Sequence, residues 1–101
     1  MPLMQISVVP IGTGDTGLSE YVAGVIKVLQ KEKGIKYEFH SMSTVVEADS
    51  IATLFKIAKK MHTAPFRNKV KRVYTTITID DRRDKKESIK RKINVVRKKL
   101  K

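Results

Sequence analysis

The sequence predicts an α+β domain of ferredoxin-like type. This is a βαββαβ sandwich with a four-stranded antiparallel sheet, helices on one face and a further basic helix at the C-terminus. Three observations predict it. Strand-like segments at 3–10, 36–40, 44–47 and 70–80 alternate with helical apolar stripes beginning near Leu18 and Ile51. Only Ser41-Met42-Ser43 separates the second and third strands. That gap is too short for a crossover helix, so the two strands form an antiparallel hairpin. The length of 101 residues suits one domain, 1–101, with 85–101 as an appended basic amphipathic helix.

Residues 3–10 (LMQISVVP) alternate as a strand, and Pro10 fits a strand end because it cannot donate to an interior ladder. The run Gly12-Thr13-Gly14-Asp15-Thr16-Gly17 is a turn-rich connection. Leu18, Tyr21, Val22, Val25, Ile26 and Leu29 then fall on one helical stripe. Asp15, Thr16 and Glu20 supply capping oxygens and negative charge at its start, and Gly34 is expected to end it. After the hairpin, Asp49 and Ser50 are expected to cap a second helix that buries Ile51, Leu54, Phe55, Ala58 and Met61. It stops before Pro65 in a polar loop, Ala64 to Lys69. Val70–Asp80 is β-branched and alternating, the clearest strand in the chain. Finally Ile89, Ile93, Val96 and Leu100 form a narrow apolar seam on the basic helix. Such a sheet is expected to leave one face without intramolecular cover, exposing Ser7, Val9, Tyr74, Thr76 and Thr78.

The same length excludes a doubly wound dinucleotide enzyme and a (β/α)₈ barrel. Cysteine is absent, so disulfides, thiolate zinc sites and thiol nucleophiles are excluded as well. MPLMQISVVP resembles neither a signal peptide nor a membrane anchor, which leads to the expectation of a cytoplasmic protein without membrane association. Lys and Arg total 22 against 10 Asp and Glu, and nine of the 22 lie in 85–101. A basic balance raises the prospect of nucleic acid. Yet an RNA-recognition sheet needs stacked aromatics in a K/R-G-F/Y-G/A-F pattern, and the strands offer only Tyr37, Phe39 and Tyr74. Only two Asn and two Gln occur beside abundant Lys, a thermophile-like composition in which much of the charge is solvated surface.

Residues 12–17 match G-x-G-x-x-G between a strand and a helix. A dinucleotide site needs a parallel βαβ unit next, whereas here the second strand turns into a hairpin, so the match reads as tight-turn chemistry. His40 and His62 share no metal spacing, and no Ser–His–Asp or Cys–His arrangement is present. No catalytic set, metal site or cofactor is therefore expected. Asp80-Asp81-Arg82-Arg83-Asp84 reads as ion pairs, because guanidinium forks suit carboxylates. Ser41-Met42-Ser43-Thr44-Val45-Val46-Glu47 is the remaining constellation: hydroxyls, a thioether and a carboxylate beside apolar residues.

PIGTGDTGLSEYVAGVIKVLQ (10–30), YEFHSMSTVVEAD (37–49) and RVYTTITIDDRRDK (72–85) resemble the signature blocks of the thiamine-binding-protein family. These are small ferredoxin-like proteins related to a duplicated bacterial protein that binds thiamine and its hydroxymethylpyrimidine precursor. The resemblance implies sheets packed into dimers that pair into tetramers, a small-ligand pocket near sheet edges and subunit interfaces, and no catalytic activity. Carried over by position, it implies binding roles for Thr13, Ser19, Ser41, Met42, Thr44, Glu47, Thr76 and Arg82. Ala48 stands where the family usually has glycine. Thiamine joins an aminopyrimidine to a cationic thiazolium. Glu47 suits the amino group or the cation, Ser41, Thr44 or Thr76 the ring nitrogens, and Met42 and Tyr37 the walls.

The expected function is thus non-enzymatic binding of thiamine or its hydroxymethylpyrimidine moiety by a homotetramer, a dimer of dimers. The alternatives are a nucleic-acid-binding module using the C-terminal helix, and a purely structural oligomer.

Overall fold

The computed structural model of the chain describes residues 1–14 and 16–101. Its order is β1 (Leu3–Ile11), α1 (Ser19–Gln30), β2 (Lys36–Phe39), β3 (Thr44–Glu47), α2 (Ile51–Thr63), a short 3-10 helix (Ala64–Asn68), β4 (Arg72–Asp80) and α3 (Ile89–Lys99). The strands form one antiparallel sheet in the order β2-β3-β1-β4, the ferredoxin-like arrangement. β1 is central because it is the most apolar long strand, flanked on both sides.

Register assigns the faces. Ile6 lies opposite Thr44 and Ile77, and Met4 opposite Val46 and Ile79, so these residues share the face under α1 and α2. α1 buries Val25 and Leu29, and α2 buries Leu54, Ile57, Ala58 and Met61, each at helical spacing. With Met4, Ile6, Val46 and Ala48 they form the core. Burying each large aliphatic side chain is worth about 1.5–3 kcal/mol, enough to hold helices of 12 and 13 residues against the sheet. Ser50 caps α2, its hydroxyl accepting from Thr53 N–H at 3.2 Å, while Asp49 accepts from the Thr53 hydroxyl. No helix is long and apolar enough to cross a membrane among the described residues.

Five expectations are corrected. Phe55, expected on the buried stripe of α2, is 55% exposed, because the stripe that packs on the core runs through Leu54, Ile57, Ala58 and Met61. α1 starts from Leu18 without a side-chain cap, so Thr16 does not cap it. Asp15 lies outside the described residues. α1 also ends at Gln30, where its buried stripe runs out, and Gly34 (φ 78°) serves the turn into β2. The segment after α2 winds into the 3-10 helix, closed by left-handed Lys69, which delays β4 to Arg72. Finally, the second sheet face is not wholly bare. The start of α3 lies over one end of it, so Leu3, Glu47 and Ile89 are buried, while Tyr74, Thr76 and Thr78 remain exposed.

Candidate functional site

The pairing between β1 and β3 stops at Ile6, whereas β1 and β4 stay paired as far as Ile11. The β2–β3 turn, closed by His40 N–H donating to Ser43 C=O at 2.9 Å, therefore ends short of the upper half of β1. A cavity of about 250 Å³ opens in that gap, between the turn and the first half of α1. Ile6, Val8 and Met61 line it from the core, and Leu18, Val22 and Ile26 form one wall. The other wall is the run Phe39–Thr44.

Polar groups in this apolar pocket are few. Ser43 is engaged by Gln5, whose Nε2 donates to its Oγ at 3.0 Å. His40 lies 3.3 Å from the Glu38 carboxylate. Thr44 lines the cavity and its hydroxyl makes no hydrogen bond to another described residue; no buried side-chain polar atom among the described residues lacks a partner, so this hydroxyl is an accessible one. An accessible hydroxyl with no partner inside the chain can both donate to and accept from a ligand. Ser41 and Met42 stand at the rim, with Met42 87% exposed.

Of the residues singled out from sequence, Ser41, Met42 and Thr44 come together here. The others do not join them among the cavity's lining residues. Side chains three apart on a strand point to opposite faces, so Glu47 leaves the face that Thr44 occupies. Glu47 is 3% exposed, and its Oε1 accepts the Ile89 N–H at 2.9 Å, capping α3. Thr76 lies opposite Ser7 on the exposed sheet face. Tyr37 packs against the core from β2. Thr13 sits in the β1–α1 connection, and Ser19 begins α1 without lining the pocket. Arg82 is committed to Asp84 through two bonds, 2.6 and 3.0 Å, which hold the Asp84 carboxyl below its ordinary value and the guanidinium above its own. Arg83 pairs with Asp81, and Lys92 with Asp80.

The apolar wall Leu18, Val22 and Ile26 was not foreseen as part of a site, because its spacing is that of ordinary core. The signal was the width of the α1 stripe: Val25 and Leu29 suffice to dock the helix, leaving the other three half-buried.

These features define a small ferredoxin-like protein with a single-ring-sized pocket between its first helix and its hairpin. The sequence model of a family described as thiamine-binding protein matches residues 4–97, and the chain belongs to that family. It is 42% identical to the UPF0045 protein YqgV of Bacillus subtilis, over 99% of this chain and 98% of that one. It is 38% identical to a UPF0045 protein of Methanothermobacter thermautotrophicus, over 95% and 96% of the two chains. The crystal structure of hypothetical protein MJ1052 from Methanocaldococcus jannaschii superposes with a TM-score of 0.83 at 34% identity, covering 94% of each chain.

Proposed function

We propose that the protein binds the aminopyrimidine portion of a thiamine-like molecule in the α1–hairpin pocket and catalyses no reaction on it. The observation that carries this reading is the Thr44 hydroxyl, which lines a mostly apolar cavity and makes no hydrogen bond to another described residue. A hydroxyl both donates and accepts, which matches a ring nitrogen beside an amino group. The volume, about 250 Å³, lies below the ~300–1,000 Å³ of drug-sized ligand sites, so it suits one ring and leaves a thiazolium outside near Met42. Membership of a family described as thiamine-binding supports the ligand class.

Calorimetric titration of hydroxymethylpyrimidine and thiamine tests the reading. Saturable binding of both is expected. Thr44→Val keeps the shape but removes the hydrogen bond, worth about 0.5–1.5 kcal/mol, so affinity falls roughly 3- to 10-fold. Unchanged affinity in that variant overturns the assignment.

The same proposal includes self-association. Tyr74 is 61% and Ile11 40% exposed on the uncovered part of the sheet, and Val96 and Leu100 add exposed apolar surface on α3 and its C-cap. A second copy of the chain is the proposed cover, with a dimer of dimers as the assembly.

A further inference from the structure

A second cavity, about 450 Å³, lies on the outer side of the helical layer and shares no lining residue with the α1–hairpin pocket. It runs between α1, the end of α2 and the 3-10 helix. Four cations line it, Lys27, Lys31, Lys60 and Arg67, against one acid, Glu32. Glu32 is taken by Lys60, whose hydrogen bond holds its carboxyl below the ordinary value. Lys27, Lys31 and Arg67 have no ion-pair partner among the described residues. Lys27 lies in the last turn of α1 and Lys31 is its C-cap residue four positions on, so two like charges stand as neighbours at this end of the groove.

Gly24 is an independent sign at the same place. It lies in the interior of α1 and lines this groove, where glycine costs helix stability relative to alanine. A Cβ built there meets nothing within 4 Å, so no packing inside the chain requires its absence. A bare backbone facing a cationic groove leaves room for something that comes from outside.

We propose that this groove binds a phosphoryl-bearing small anion, a phosphate monoester or diphosphate. Arg67 grips phosphate oxygens as a fork, Lys27 and Lys31 neutralise them, and Gly24 lets the ligand lie against α1. Tyr21 is the one aromatic residue in the groove's lining and brings a hydroxyl to it. An anion between Lys27 and Lys31 also relieves their mutual repulsion.

The test is titration of pyrophosphate and inorganic phosphate into the full chain and into Arg67→Gln, Gly24→Ala and Thr44→Val. The expected result is saturable pyrophosphate binding that falls at least tenfold in Arg67→Gln and is unchanged in Thr44→Val. Gly24→Ala should melt at a higher temperature and yet bind more weakly, a combination that a purely structural glycine does not produce. The proposal is overturned by absence of saturable binding, or by equal affinity in Arg67→Gln and Gly24→Ala. Binding of a single-stranded oligonucleotide without binding of pyrophosphate also overturns it, because that marks a general polyanion surface.

Discussion

Thr44 and Glu47 belong to the same four-residue strand, and the pleat sends one hydroxyl into the α1–hairpin pocket and one carboxylate beneath α3. Their roles separate accordingly. Glu47→Ala leaves the Ile89 N–H buried without an acceptor, at a cost of about 1–3 kcal/mol, while the pocket keeps all its lining residues. Chemical denaturation should show that loss, and titration of hydroxymethylpyrimidine should show unchanged affinity. A loss of affinity with stability intact would instead return Glu47 to the ligand site. The residues' identities were legible in the sequence, since hydroxyls and a carboxylate beside valines stand out. Their grouping was not. Nearness along a strand suggests one site, whereas period-two alternation splits it, and the Ile89 N–H that claims Glu47 is 42 residues away.

At the scale of elements, α3 depends on its first turn. With 11 residues it is shorter than helices that stand alone in water, so caps and docking must hold it. Ser88 accepts from Arg91 N–H at 3.0 Å, Glu87 accepts from Ser88 N–H at 3.3 Å and from the Arg91 guanidinium at 3.0 Å, and Glu47 takes Ile89. Ser88→Ala should therefore cost about 0.5–2 kcal/mol, read as reduced helical ellipticity and a lower midpoint of denaturation. Burial pushes the Glu87 carboxyl up, but Arg91 and the Ser88 N–H outweigh it and leave it below the ordinary 4.5. A carboxyl lowered by folding stabilises above its unfolded value, and that stability is lost as pH falls through the folded one. Glu87→Gln should accordingly melt below the wild type at pH 7, with the gap closing once pH drops under about 4.5. A gap that persists in acid would contradict the assignment. The apolar seam of this helix was legible from Ile89, Ile93, Val96 and Leu100. That its first turn covers one end of the second sheet face was not, because the bond that holds it there joins Ile89 to Glu47, remote in sequence.

For the whole molecule, the order of strands and helices followed from hydrophobic period and one short connection, and both survive in the sheet order β2-β3-β1-β4. The pocket depends on where pairing stops rather than on any motif, since it opens at Ile6, where β3 ends and β1 continues. The molecule is also extended, with a radius of gyration of 14.9 Å against about 13 Å for a compact chain of this length. Exposed Tyr74, Val96 and Leu100 lie on surface that a single chain does not cover. Light scattering should give a mass that is a multiple of 11.5 kDa, consistent with the proposed tetramer, and Tyr74→Lys should lower it. A wild-type mass of one chain would remove the proposed interface.

The most direct measurement is titration of hydroxymethylpyrimidine into the wild type and Thr44→Val side by side. One saturable site per chain is expected in the wild type, with affinity reduced roughly 3- to 10-fold in the variant. No heat of binding in the wild type, or identical curves for the two proteins, would contradict it.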